Sequence, residues 1–271
     1  MLSLPAGEFV MGALPRDQQQ QNDEGPQHLV QFAKAFAIGK FEVTRGEYAA
    51  FISNTKHNTE GGCHHRPGPV PLINPNFDWR SPGYEQDDGH PAVCISWNDA
   101  TTYAAWLSEH TGADYRLPTE SEWEYAARGG TTSERYWGSS EDDGCDFANG
   151  ADLNREAELP PGWTVANCDD GHAHTAAVGS LKANDFGIHD VLGNVGEWIA
   201  DCWNDTYDGA PADGSAWITG ACDRPILRGA SWVDDPRFLR SANRYGYYFK
   251  GADSKNSRYV NFGFRVARTI H

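Results

Sequence analysis

The sequence is short of basic residues, with 22 lysines and arginines against 38 aspartates and glutamates, for a net charge of −16. Phosphate backbones and anionic membrane surfaces repel such a chain, so we expect neither nucleic acid nor a membrane surface as a partner. The sequence also lacks an apolar run of the length that a bilayer requires, and no transmembrane segment is predicted.

Long helical patterns are scarce, whereas glycine is plentiful at 29 residues. Hydrophobic residues make up 39% of the chain, and ten residues are tryptophans, which is enough for a sizeable core. No stretch has the composition of a linker, so we expect one domain over residues 1–271. This composition predicts a loop-rich fold in which much of the chain is irregular.

Cysteine is absent after Cys222, and the six cysteines up to that point fall into three neighbouring pairs. Each pair flanks a polar loop rich in glycine or proline, and a disulfide at the base of such a loop would contribute roughly 3 kcal/mol. Free cysteines in a cytoplasmic protein are the alternative. We predict an oxidising compartment and the bridges Cys63–Cys94, Cys145–Cys168 and Cys202–Cys222.

Three capping patterns predict helix starts. Thr44 with Glu47 begins a helix near 44–54, and Ser96 with Asp99 begins another near 97–109. Thr119 begins the third. The acidic residues of its first turn are assigned to capping and a solvated surface rather than to catalysis; they are Glu120, Glu122 and Glu124.

The C-terminal stretch, residues 226–268, has strand patterns at both ends. Between them lies a segment dense in Tyr, Phe, Asn, Asp and Ser, a composition typical of binding surfaces. Its ends, together with LPAGEFVMG at 4–12, FEVT at 41–44, YRLPTESEWEYAAR at 115–128 and LGNVGEW at 192–198, resemble the formylglycine-generating enzyme (sulfatase-modifying factor) family. The resemblance covers nearly the whole chain. It implies an α+β, elaborated C-type-lectin-like fold, with few helices, short antiparallel sheets, and the terminal strands meeting in one sheet.

The chain departs from this family at the catalytic centre. Members that make formylglycine bind copper through two cysteines, whose positions here hold Asp234 and Leu239. A carboxylate cannot replace a soft thiolate as a Cu(I) ligand. We therefore expect no copper and no copper-dependent formylglycine-generating oxidase activity.

The resemblance also implies two structural calcium sites, built from side-chain and backbone oxygens as Ca²⁺ prefers. The first is assigned to Asn149, Gly150, Asp170 and His172, and the second to Asp190, Gly193, Val195 and Glu197. At the second site the alternative is that the two carboxylates only satisfy backbone amides in a tight turn.

For function, the first interpretation is a protein that binds a protein, peptide or small molecule through its C-terminal face. The family fold also serves the variable proteins of diversity-generating retroelements, although an ordinary fixed loop is the alternative. The candidate binding residues are Trp232, Val233, Asp234, Asp235, Phe238, Tyr245, Tyr247, Tyr248, Phe249, Tyr259 and Asn261.

The second interpretation is an exported oxidoreductase with altered chemistry, similar to the siderophore (pyoverdine) maturation oxidases of this family. Asp234 or Asp235 would then act as general base beside an oxidisable carbon, although no cofactor motif is visible. A third interpretation is an accessory domain that binds a peptide or sugar weakly.

The expected location is the periplasm, the cell surface or the exterior. No signal peptide precedes the first family motif, which begins at Leu4. We therefore expect the leader to be missing from the sequence as given.

Overall fold

The structure is a computed structural model that describes residues 1–15, 17, 19–65, 71–154, 163–246 and 254–270. Each of its three α-helices begins at a capping box, in which the N-cap hydroxyl and the carboxylate three residues later satisfy each other's backbone N–H groups. The helices are α1 (Arg45–Thr55), α2 (Trp97–Thr111) and α3 (Glu120–Arg128). The helices predicted near 44–54 and 97–109 are therefore confirmed.

The first sheet brings the two ends of the chain together. It consists of β1 (Leu2–Leu4), β4 (Phe36–Ile38), β12 (Ala267–Thr269) and β7 (Tyr115–Arg116), in that order. Strand β4 pairs antiparallel with β1 on one side and with β12 on the other. The prediction that N- and C-terminal strands share a sheet is confirmed.

The second sheet carries the C-terminal stretch. It consists of β10 (Arg244–Tyr245), β9 (Ala221–Arg228), β8 (Gly196–Trp203) and β11 (Phe262–Gly263), in that order. Two hairpins lie outside the sheets: β2 (Gly7–Met11) pairs with β3 (His28–Phe32), and β5 (Cys63–His65) pairs with β6 (Leu72–Asn74). These short strands, with three helices and long irregular connections, form the loop-rich α+β fold that was expected.

Two hydrophobic clusters form most of the core. One gathers around Trp123 and Ile199, beneath α3 and the β2–β3 hairpin. The other lies between α1, α2 and the second sheet, around Phe51 and Trp198. A third, small cluster contains Trp232, Val260 and the Cys63–Cys94 bridge. The C-terminal stretch therefore rests on packed side chains at both of its ends.

All three predicted disulfides are present: Cys63–Cys94, Cys145–Cys168 and Cys202–Cys222. Each closes a loop of 20 to 31 residues, and such closures stabilise chiefly by restricting the unfolded chain. Of the helices in the described ranges, none has both the length and the apolar character needed to cross a bilayer.

Candidate functional site

Four buried arginines hold the C-terminal stretch in place. Each of them is at most 1% exposed, and each meets at least one carboxylate. Arg228 bonds to Glu120 at 2.8 Å and to Glu124 at 2.7 Å. The other three pairs are Arg244 with Glu120, Arg240 with Glu24, and Arg265 with Glu197. The described parts of the stretch are thus anchored to the rest of the fold.

These contacts correct the interpretation of α3. Its acidic residues were expected to lie on a solvated first turn, but Glu120 is 2% exposed and Glu124 is fully buried. Only Glu122 takes the capping role. The other two provide charges for arginines more than 100 positions away, a contact that no local pattern can predict.

A tight turn places Asp234. Gly229 has a φ of +94°, and a Cβ there would come within 2.9 Å of the Val191 carbonyl. The fully buried Ser231 hydroxyl then donates to the Asp234 carboxylate at 2.6 Å and accepts from the Asn261 side-chain amide at 2.9 Å. Asp234 itself is half-buried. Its carboxylate is therefore oriented by two residues behind it.

Asp235 has a different role. It is 2% exposed, and its side chain accepts hydrogen bonds from the backbone N–H of Arg237 at 3.1 Å and of Thr164 at 3.2 Å. It thereby caps the short 3₁₀ turn Pro236–Phe238. Asp235 is therefore a structural residue. Of the two aspartates suggested as general bases, only Asp234 is partly exposed to solvent.

Trp232 is also largely internal, at 5% exposure. Its ring packs edge-on against Tyr84 and His174, with ring centroids 5.4 and 4.8 Å apart. Tyr84 and His174 stack on each other at 4.6 Å, and both are half-buried. Neither was selected from the sequence, because each lies in a long loop without periodic pattern.

The remaining described candidates are half-buried, and they form two groups. Tyr259 stacks on His64 at 4.5 Å, beside Asn261. Phe238 and Tyr245 form an edge-to-face pair at 5.9 Å. Val233 packs against the Trp232 cluster. The predicted contacts of Tyr247, Tyr248 and Phe249 lie outside the described residues.

The position of the family's second cysteine is filled by an apolar side chain. Leu239 is 5% exposed and packs so closely on Gly150 that a Cβ there would lie 2.7 Å from the leucine. It lines a small cavity of about 20 Å³ together with Cys145 and Pro236. Leu239 offers no ligand atom for a metal.

At the first predicted calcium site, two observations fit a cation. The Asn149 Oδ1 atom is buried and accepts no hydrogen bond, while its amide donates to the His174 carbonyl. Burial, with the nearby Asp152, raises the pKa of Asp170 to about 7. The backbone N–H groups of Gly150 and His172 bond to Asp170. These buried oxygens are of the kind that Ca²⁺ prefers.

At the second predicted site, the Glu197 carboxylate is already engaged by protein donors. Both oxygens of Glu197 accept from Arg265 at 2.7 Å, and one also accepts from Trp123. Beside Asp190 lies Glu42, whose buried Oε2 atom meets no hydrogen-bond donor in the described part of the chain. Burial and the charge of Asp190 raise the pKa of Glu42. Glu42, which the sequence analysis missed, thus fits a cation better than Glu197 does.

A strained turn joins the two sites. Gly193 has a φ of +84°, and a Cβ there would overlap the backbone carbonyl of Asn149, so only glycine fits. Asn194, also at positive φ, bonds through its N–H to the Asn149 carbonyl and through its side chain to Glu42. Val195 follows, fully buried. Within the described ranges, no group of three or more His, Cys, Asp or Glu side chains could by itself hold a metal.

Comparisons with known proteins extend over the whole chain. The model of the sulfatase-modifying factor enzyme 1-like domain matches residues 1–270. The formylglycine-generating enzyme of Streptomyces coelicolor is 33% identical, over 97% of this chain and 87% of that protein. The inactive Cα-formylglycine-generating enzyme 2 of Mus musculus is 31% identical, over 98% of this chain and 85% of its own.

Two solved structures share the fold. PvdO from Pseudomonas aeruginosa superimposes with a TM-score of 0.81 at 38% identity, covering 99% of this chain and 93% of that one. Treponema denticola variable protein 1 gives a TM-score of 0.71 at 20% identity, covering 99% and 94%, and it supports the C-type-lectin-like fold alone. The chain belongs to the sulfatase-modifying factor family, as a member that lacks the cysteine pair of its formylglycine-generating relatives.

Proposed function

We propose that this chain is a non-formylglycine-generating family member that binds a ligand through its C-terminal face. We define the C-terminal face by its half-buried described residues, which are Val233, Asp234, Phe238, Tyr245, Tyr259 and Asn261. One observation carries the proposal. Buried arginines immobilise the framework, while aromatic rings and an oriented carboxylate remain at its surface. Rigid aromatic anchors with polar neighbours are typical of recognition surfaces.

The face is proposed to be fixed rather than diversified by a retroelement. Diversification requires positions that accept many side chains, but Trp232 and Asp235 are buried and bonded into the framework. The similarity to a variable protein is 20% in sequence and concerns the fold. A reverse-transcriptase gene with a matching template repeat beside this gene would contradict a fixed face.

Crystals of the protein soaked with a library of small fragments test the binding proposal. Fragments should collect at the C-terminal face, within contact of Asp234 or Tyr259. Asp234→Ala should remove them, whereas Asp114→Ala, at an exposed aspartate after α2, should not. Fragments that collect elsewhere and avoid the face in both crystals would refute the proposal.

A second candidate function is an oxidoreductase that uses the same face, similar to the siderophore maturation oxidases. The observation that favours it is the half-buried Asp234 carboxylate, oriented by Ser231 as a general base would need to be. The 38% identity to PvdO, beside the 33% identity to a formylglycine-generating enzyme, supports this candidate. Oxygen uptake with a reduced pyoverdine precursor, abolished by Asp234→Asn, would support it; no uptake would exclude it.

We also propose structural Ca²⁺ at both predicted sites, with Glu42 joining Asp190 at the second. Ca²⁺ would neutralise the buried carboxylates and tie the irregular loops together.

The three disulfides support an exported location, in the periplasm or outside the cell. Expression with an export leader, followed by fractionation and thiol labelling, tests this location.

A further inference from the structure

A single exposed cation stands out in the C-terminal stretch. The structure describes every residue from 224 to 246, and Arg237 is the one exposed residue among them, with a side chain that is 55% exposed. It directly precedes Phe238, a member of the C-terminal face. On a chain with a net charge of −16, this guanidinium group is a local centre of positive charge beside the proposed binding surface.

The guanidinium group of Arg237 is oriented from two sides. It lies over the Phe238 ring, 4.7 Å from the ring centroid. The buried Asp235 carboxylate approaches its Nε atom only to 3.6 Å, which is too long for a hydrogen bond. Both oxygens of Asp235 accept instead from backbone N–H groups, those of Arg237 and Thr164. The ring and the carboxylate thus orient the side chain without using its hydrogen-bond donors.

These donors remain available to a ligand. Within the described part of the chain, the Arg237 guanidinium donates no hydrogen bond. Arg80 is similarly exposed, at 53%, and lies over Trp79 at 4.3 Å, yet it donates to Asp78 at 2.9 Å. The four buried arginines of the C-terminal stretch also donate to carboxylates, at 2.6 to 2.8 Å. Exposure and ring stacking alone therefore do not explain why the donors of Arg237 are unused.

The geometry of the donors indicates the chemistry of the ligand. A planar guanidinium group can form two parallel hydrogen bonds to the two oxygens of a carboxylate. The Phe238 ring covers one flat side of Arg237 and leaves the edge for such a partner. A phosphate fits the same donors, but a chain with a net charge of −16 repels its second negative charge more strongly. A singly charged anion is therefore favoured.

We infer that the C-terminal face recognises a ligand with a carboxylate next to an apolar group, and that Arg237 binds the carboxylate. The apolar group contacts the half-buried Phe238. This inference rests on the proposed ligand-binding function and specifies the class of ligand. Arg237 was not selected from the sequence, because a single arginine in an irregular turn forms no recognisable pattern.

Probes of similar shape and different charge test the inference. Phenylacetate and phenylacetamide differ in a carboxylate against a neutral amide, and phenyl phosphate carries a doubly charged group on the same ring. In nuclear magnetic resonance titrations of the isotope-labelled, disulfide-bonded protein, phenylacetate should bind at least about tenfold tighter than either of the others. The backbone amide signals of Arg237 and Phe238 should shift as binding saturates.

A peptide is the second possible source of a carboxylate. A tetrapeptide that ends in phenylalanine is therefore titrated as the free acid and as the C-terminal amide. Binding of the free acid tighter than phenylacetate would support the inference and assign the site to peptide C-termini. Weaker binding of the free acid would support it with small carboxylates as ligands, whereas equal binding of acid and amide would contradict it.

Variants assign the effect to the residue. Arg237→Gln removes the charge and should weaken phenylacetate at least about tenfold, without changing the binding of phenylacetamide or the unfolding temperature. Arg237→Lys keeps the charge but loses the bidentate geometry, so its affinity should lie between the two. Arg80→Gln, the matched control at a similarly exposed and stacked arginine, should bind like the wild type.

The outcomes separate this inference from the proposed function. Equal binding of phenylacetate and phenylacetamide at the face, or phenylacetate binding that Arg237→Gln leaves unchanged, overturns the carboxylate inference while the face remains a binding site. Tighter binding of phenyl phosphate than of phenylacetate overturns the preference for a single charge. No saturable binding of phenylacetate up to about 20 mM, weaker than any useful affinity, overturns the inference as well. Fragment soaks that leave the face empty overturn the proposed function itself.

Discussion

At the scale of the residue, the guanidinium group of Arg228 is enclosed by charge. It bonds to Glu120 and Glu124, all three groups being at most 2% exposed. Removing Arg228 takes one partner from each of two buried carboxylates, although Glu120 keeps Arg244 and Glu124 keeps Arg128. We expect Arg228→Met to cost about 3–5 kcal/mol in the free energy of unfolding, measured by urea denaturation.

The control for this prediction is an exposed pair. Lys182 and Asp146 also form an ion pair, but their side chains are 63% and 69% exposed. Lys182→Met should change the unfolding free energy by less than about 1 kcal/mol. Equal effects of the two substitutions would show that burial does not determine how much these ion pairs contribute to the free energy of unfolding.

The pH dependence of stability has one clear contributor in Asp201. Burial, with the charge of Glu120, raises the pKa of Asp201 from 3.8 to about 7. The folded protein therefore holds a proton that the unfolded chain has released, and this contribution to stability is lost as the pH rises through about 7. Wild-type protein should lose about 2–3 kcal/mol relative to Asp201→Asn between pH 5 and pH 8, by linkage.

Urea titrations of both proteins across this range, at constant salt, measure the difference. Subtracting the unfolding free energy of Asp201→Asn from that of the wild type at each pH cancels the contributions of the other titrating groups, including Asp170. A constant difference between the two proteins at all pH values would contradict the raised pKa of Asp201.

Asp234 and Asp235 show why residue roles were only partly predictable. The sequence presents two adjacent, chemically identical side chains, and both were suggested as a general base. The turn after Gly229 leaves Asp234 half-buried, with a hydrogen bond from the buried Ser231, and places Asp235 at the N-cap of the Pro236–Phe238 turn. Which aspartate faces solvent depends on contacts with Asn261 and Thr164, which are distant in sequence.

At the scale of the element, the helix starts were predictable because a capping box is local. Thr44, Ser96 and Thr119 each cap the helix that their sequence pattern indicated. The disulfides were predictable for a related reason, since each joins cysteines close in sequence. The positions of Tyr84 and His174 were not predictable, because the contacts they make, such as their mutual stacking at 4.6 Å, join residues distant in sequence.

The loops that contain Asn149 and Asp190 lead to a prediction about calcium. Among the described residues, the buried Oδ1 atom of Asn149 and the buried Oε2 atom of Glu42 have no hydrogen-bond partner, and a bound ion would supply one. Chelation with EGTA should lower the unfolding temperature, and Ca²⁺ should restore it by mass action. Calorimetry of the stripped protein provides the measurement.

Two variants separate the sites. Asp170→Asn should remove one site, and Glu42→Gln should weaken the other, so each variant should bind one ion fewer than the wild type. Ser180, exposed between the two loops, provides the control substitution Ser180→Ala. An unfolding temperature that EGTA leaves unchanged would mean that the loops hold no ion.

At the scale of the whole molecule, the family fold persists although other residues occupy the positions of the family's two cysteines. Asp234 and Leu239 present a carboxylate and a buried methyl surface in place of two thiolates. The protein should therefore leave the cysteine of a sulfatase-type peptide unmodified in the presence of copper and oxygen. Mass spectrometry of the peptide, beside an active formylglycine-generating enzyme as control, gives the result. Aldehyde formation by this chain would overturn the assignment.

The buried arginine–carboxylate pairs have a consequence for how such a protein can change over generations. Arg228 and Glu120 lie 108 positions apart, and Arg265 and Glu197 lie 68 apart, yet replacing either member alone removes a partner from a buried charge. Substitutions at these positions should therefore arise as coordinated pairs or not at all. Val233 and Tyr259 are not members of a buried ion pair, so substitutions at these two positions need no compensating change elsewhere. In an alignment of homologous sequences, the positions of the buried pairs should therefore covary. The positions of the proposed binding face should vary independently of one another.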